Sequence, residues 1–153
     1  DLADTTWKGQ PRKLLLQANR NGFMYVLDRI TGEFLTGAAF VHNLTWASGL
    51  DAKGRPIIKE DPAPTYEGKR VCPTGGGATN WPSAAFNPKT GQFLVFATEA
   101  CSVFVKNDEP FELGKSFYQG TQRRSAGDNA AMESLFAFLQ KNVLDRQSLV
   151  TRD

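Results

Sequence analysis

One histidine and two cysteines are the whole supply of imidazole and thiol in 153 residues. A structural zinc takes about four ligands, so His42, Cys72 and Cys101 exclude a zinc module. His42 stands in Phe40-Val41-His42-Asn43-Leu44 with no Gly-x-Ser-x-Gly nucleophile motif beside it. It therefore reads as a surface or packed residue and not as a catalyst. Charge of one sign is missing too. Eighteen Lys and Arg against 16 Asp and Glu leave a net +2, which removes the electrostatic case for nucleic acid or an anionic membrane as the main partner. Long hydrophobic runs are absent: the longest, Phe93 to Ala97, is strand-sized, against the roughly 20 residues of a membrane helix. The chain opens on Asp1 and shows no signal-peptide pattern. Prior processing and an internal origin both accommodate that.

What is present is globular: 41% hydrophobic and 22% charged residues favour a packed core over disorder. Residues 1–123 are rich in Gly, Pro, Asn, Thr and aromatics. Short apolar runs, Lys13–Gln17, Phe23–Leu27, Ile57–Ile58, Gln92–Thr98 and Ser102–Val105, alternate with turn clusters such as Asn21-Gly22, Lys53-Gly54 and Pro73–Gly77. That punctuation predicts an antiparallel, mainly β architecture. Composition changes near residue 124. From 128 to 146, Met132, Leu135, Phe136, Leu139, Val143 and Leu144 recur every three or four residues, which predicts an α-helix capped by Ser125 or Asp128.

A weak repeat runs through the β-rich part. Tyr25 to Leu35 and Ala84 to Leu94 both read strand, Asp or Asn, Thr-Gly, strand. An Asp or Asn side chain can bond the backbone of a tight turn and Gly can close it, so each copy predicts a β-hairpin. Gly75-Gly76-Gly77-Ala78-Thr79-Asn80-Trp81 lacks the Gly-Lys-Ser/Thr ending of a phosphate loop, and Pro82 follows. Asn80 and Trp81 suit a planar polar ligand and equally an ordinary capped loop. Arg20, between Asn19 and Asn21, suits an anion clamp and equally a solvated turn. Cys72 and Cys101 fit a disulfide, closing a loop of about 30 residues, and equally two buried thiols.

Three segments carry a resemblance. Arg12 to Arg29 (RKLLLQANRNGFMYVLDR), Trp46 to Asp51 with Lys53 to Ile57, and Val71-Cys72-Pro73 followed by Gly77 to Ser83 (GATNWPS) closely resemble the quinoprotein alcohol dehydrogenases, in order and in spacing. The resemblance covers about residues 1–122. It implies a partial β-propeller, two or three blades of an eight-bladed quinoprotein fold, built by residues 1–123. The implied cofactor is pyrroloquinoline quinone with calcium or a lanthanide, and the implied setting is the periplasm, with an alcohol substrate and an electron-accepting cytochrome. Ala85, Asn87, Thr90 and Gly91 resemble one copy of the family's tryptophan-docking repeat, and Asp28, Thr31 and Gly32 another. Thr36 and Val95 stand where the repeat has Trp. Arg20 resembles the basic residue near the reactive carbonyls of the quinone, and Asn80, with Trp81 beside it, the asparagine that hydrogen-bonds the cofactor. Cys72 and Cys101 resemble a structural disulfide of some members.

Features resembling the catalytic aspartate, the metal-binding Glu and Asn, and the family's adjacent-cysteine pair are not found in these residues. The expectation is a fragment of a dehydrogenase that does not oxidise alcohols or retain its cofactor alone, and whose open sheet edges invite self-association. Residues 124–153 resemble the end of an insertion-sequence transposase with an integrase core, in which Glu133 would be the third metal-binding carboxylate. Two other readings follow from that junction: a non-enzymatic β-rich remnant of a gene fusion, and a DNA-recombination fragment.

Overall fold

The computed structural model describes residues 1–59, 61, 63–116, 120–124 and 135–136. Its first four strands, β1 (Leu2–Trp7), β2 (Gln10–Ala18), β3 (Phe23–Asp28) and β4 (Phe34–Ala39), form one antiparallel sheet in sequential order. That is the size and connectivity of a propeller blade. Cross-strand register places Ala3 opposite Leu14, Leu14 opposite Asp28, and Leu16 opposite Val26. With a side-chain period of two, this sends Ala3, Trp7, Leu14, Leu16, Met24 and Val26 to one face, where all are buried. Each fully buried large side chain there contributes about 1.5–3 kcal/mol. Phe93, Val95, Ala97, Ala78, Phe40 and Val41 join the same cluster, so the face of the first sheet packs on the second half of the chain.

That second half is a set of smaller antiparallel pairings. β5 (Ala47–Leu50) pairs β6 (Pro56–Ile58), and β8 (Ala85–Asn87) pairs β9 (Gln92–Leu94). β11 (Ser102–Lys106) lies between β7 (Lys69–Val71) and β12 (Gly120–Arg124). β10 (Phe96–Ala97) pairs β13 (Leu135–Phe136). The apolar run Gln92–Thr98 thus splits at buried Val95, because β9 and β10 serve different partners. The helix expected over 128–146 lies outside the described residues, except at Leu135–Phe136, which form a strand pair and not a helical turn. The transposase-like Glu133 also lies outside them. Among the described residues no helix is long and apolar enough to cross a membrane.

Both copies of the repeat are hairpins, and they use the same chemistry. Asp28 Oδ1 accepts from the N–H groups of Ile30 (2.9 Å) and Thr31 (3.1 Å), and Asn87 Oδ1 accepts from Lys89 N–H at 3.0 Å. Gly32 N–H then donates to the Asp28 carbonyl (2.8 Å), and Gly91 N–H to the Asn87 carbonyl (2.9 Å). Asp28 differs from Asn87 in its second oxygen, which accepts from Arg12 Nη1 at 3.0 Å while the same nitrogen reaches Glu33 at 3.0 Å. The backbone donors of Thr31 and Ile30 hold the Asp28 carboxyl below the usual carboxylate range against the opposing effect of burial, and Arg12 adds a smaller lowering contribution.

Candidate functional site

The turn between β2 and β3 is built by its own asparagines. Asn19 Oδ1 accepts from Asn21 N–H (3.1 Å), and Asn21 Oδ1 from Phe23 N–H (3.0 Å). The Asn21 carboxamide donates to Tyr25 Oη at 2.9 Å. Trp46 Nε1 donates to the Asn21 carbonyl at 3.1 Å, with its ring edge-on to Phe23 at a centroid distance of 6.0 Å. These bonds are the local alternative to ladder pairing that Asn side chains offer, and they leave Arg20 exposed at the tip.

The glycine loop comes to that tip. Ala78 N–H donates to the Arg20 carbonyl at 2.9 Å, and the Ala78 carbonyl accepts from Thr98 N–H at 2.7 Å. Arg20 Nη2 donates to the Gly75 carbonyl at 2.6 Å. Gly77 has φ +87°, and a Cβ there would lie 2.7 Å from Arg20 Cβ. Only glycine lets the two backbones approach this closely. Two residues beyond the tether stands Asn80, exposed at the rim of a shallow concavity of about 200 Å³ that Gln17, Ala18 and Thr79 also line. Trp81 follows, 90% exposed. Arg20 and Asn80 are 60 positions apart in the chain, and the fold brings their loops together.

The loop is anchored from behind by the Cys72–Cys101 disulfide, with Cα atoms 4.4 Å apart. The bridge lies just past the end of the β7–β11 ladder, where Val71 opposes Ser102. The residues alone fit bridge or thiols and the family resemblance implied the bridge; the structure has the bridge, and both residues are buried. His42 is where a surface residue would be: its side chain is 79% exposed, and the Glu99 carboxylate accepts from its backbone N–H (2.6 Å), from Nδ1 (3.1 Å) and from Asn43 N–H (3.1 Å). Glu99, Thr74, Ser102 and Gln122 carry polar contacts that no sequence motif signalled. The described residues contain no group of three or more His, Cys, Asp or Glu able to hold a metal ion.

No family model matches the chain. A quinohemoprotein alcohol dehydrogenase of Pseudomonas putida is 40% identical over 119 residues, which cover 76% of this chain and 17% of that protein. A europium-containing methanol dehydrogenase superposes with a TM-score of 0.68 at 30% identity, over 79% of this chain and 21% of the other. The chain is a homologue of part of the quinoprotein alcohol dehydrogenases. A third relative, a 1-butanol dehydrogenase (cytochrome c) of Thauera butanivorans, is 41% identical over 92 residues, 59% of this chain and 13% of that one. The chain thus spans about a sixth of the length of the curated quinoprotein relatives it matches. Its strands resemble part of the quinoprotein propeller. The transposase-like resemblance of residues 125–153 falls almost wholly outside the described residues.

Proposed function

We propose that this chain supplies one part of the wall of a quinone-dependent alcohol dehydrogenase, in which Arg20, Asn80 and Trp81 face the cofactor. The observation that carries the reading is the tether of Ala78 and Gly75 to Arg20, which sets a cation, a carboxamide and a bare indole on adjoining loops. The donor set fits pyrroloquinoline quinone, a planar ring system with three carboxylates. A guanidinium pairs with carboxylate in a forked geometry, a carboxamide offers both donors and an acceptor, and an indole offers a flat apolar face. Among the described residues the Asn80 carboxamide has no hydrogen-bond partner, and Arg20 spends a single donor on Gly75.

Arg20 and Asn80 would hold the quinone, which would supply hydride-accepting chemistry for the alcohol carbon; there the Arg20 guanidinium would lie against negative charge on a quinone oxygen, and the Asn80 carboxamide would orient the ring. The described residues bring together no group of three or more His, Cys, Asp or Glu and so do not fit the calcium or lanthanide. The disulfide suits an oxidising compartment, here the periplasm, and electrons leave to a cytochrome of the kind named for the Thauera relative.

A fluorescence titration tests the reading. Of three tryptophans, Trp7 is buried, Trp46 is half-buried and Trp81 is exposed. Added pyrroloquinoline quinone should quench Trp81 saturably, the quench should vanish in Trp81→Phe, and it should weaken in Arg20→Ala and Asn80→Ala. Quenching that is indifferent to Arg20 and Asn80 would refute the assignment.

A further inference from the structure

The Gly75 carbonyl can orient Arg20 only if the Gly75 peptide is itself held still, and the groups that hold it lie on other strands. Thr74 N–H donates to the Ala100 carbonyl at 2.8 Å, and Gly77 N–H closes a turn onto the Thr74 carbonyl at 2.8 Å. Thr74 Oγ1 and Ser102 Oγ share a hydrogen bond at 2.6 Å. Gln122 Nε2 donates to both hydroxyl oxygens, at 2.9 Å to Thr74 and 2.6 Å to Ser102. The three side chains form a closed triangle. Ser102 is 1% exposed, so its hydroxyl requires these partners. Gly75 lies directly against the same carboxamide: a Cβ at Gly75 would lie 2.4 Å from Gln122 Oε1.

From these contacts we propose that Gln122 is a positioning residue for Arg20. The functional meaning of this inference rests on the cofactor reading above. Gln122 reaches from β12, where it opposes Phe104, diagonally along β11 to Ser102 and across to the loop. It does not touch Arg20. It fixes Thr74, Thr74 fixes the neighbouring Gly75 peptide, and the Gly75 carbonyl holds one arm of the guanidinium. One nitrogen is thereby committed to the Gly75 carbonyl, which narrows the range of positions open to the guanidinium. A guanidinium preorganised in this way loses less side-chain entropy when it binds an anion. The amide donor is the essential feature, since no other described group donates to both hydroxyls.

The test reads Arg20 directly. In the oxidised chain, NMR of the guanidinium protons should show a hydrogen-bonded Arg20 Nη2 signal that exchanges slowly. Gln122→Met keeps the length of the side chain and removes the amide. It should speed that exchange by about tenfold or more, the scale of one lost charge-assisted bond, with the fold and the disulfide retained. Thr74→Val, which removes the hydroxyl at nearly constant volume, should do the same and serves if Gln122→Met does not fold. Unchanged Arg20 exchange in both folded variants overturns the proposal, and so does a fall in stability without a change in exchange. The quinone titration is a separate arm, run on the unsubstituted chain. Quenching there beside unchanged exchange in the variants sinks the positioning role and spares the cofactor reading. Faster exchange in the variants, with no quenching, does the reverse.

Discussion

Removing the Cys72–Cys101 bridge should destabilise the described fold by about 3.5 kcal/mol. The two residues are 29 positions apart, and in the chain-entropy model a closed loop of that size withdraws this much conformational freedom from the unfolded ensemble. The substitution is Cys72→Ala with Cys101→Ala, because both side chains are buried at 0% and 3% exposure and a polar replacement would add its own desolvation cost. Loss of two sulfur atoms from packed sites adds to the entropic figure. The effect should also be local. Thr74 and Ser102 adjoin the bridge, so their hydroxyl contact and the Gly75–Arg20 bond should loosen with it. The assay is urea unfolding of oxidised and double-alanine protein, read as a change in midpoint at constant slope, with amide exchange of residues 73–78 as the local probe. A difference below about 1 kcal/mol would refute the loop-closure argument. Full alkylation of both thiols in folded, unreduced protein would refute the bridge itself.

Three further outcomes follow from the same contacts. Asp28 has a folded pKa below its unfolded value, so its contribution to stability is complete above the unfolded pKa, near 3.9, and is lost as pH falls through the folded value. Asp28→Asn keeps the turn acceptor that Asn87 uses; it should lower stability at neutral pH by removing the Arg12 contact and flatten the acid limb below about pH 4, and a limb unchanged in acid titration would count against that assignment. Leu14→Ala, at 1% exposure in the inner face of the first sheet, should cost about 2–5 kcal/mol in thermal or urea unfolding; a cost under about 1 kcal/mol would show that the packing there is not the core. Dye-linked alcohol oxidation by the chain with added quinone and calcium should be undetectable, because Arg20 and Asn80 supply only part of what the reaction needs, and turnover that disappears in Asn80→Ala would contradict this.

The hairpins were legible because their chemistry is local. Asp28 and Asn87 cap turns two and three residues away, and a window of eleven residues holds the whole motif. The blade-like sheet was half legible: β2 and β3 are apolar runs, whereas β1, LADTTW, alternates too weakly to announce a strand and owes its place to pairing with β2. Arg20 and Asn80 stood out only by resemblance, since an exposed Arg in a turn and an Asn in a glycine loop are ordinary by composition. The triangle of Thr74, Ser102 and Gln122 gave no signal. Its members are 28, 48 and 20 positions apart pairwise, each is a common polar residue, and their meeting depends on β11 lying between β7 and β12. The helical spacing of Met132 to Leu144 is a local preference that falls outside the described residues, apart from Leu135 and Phe136, which pair with β10.

The claim that Arg20 and Asn80 present one cofactor-facing surface is tested most directly by amide and side-chain NMR of the oxidised chain titrated with pyrroloquinoline quinone. The quinone should shift Arg20, Asn80 and Trp81 together, along one binding curve, and should wash off on desalting. Arg20→Ala should weaken the shifts at Asn80 and Trp81. Shifts scattered over the other lysines and arginines, or an Asn80 response that survives Arg20→Ala at full strength, would contradict the account.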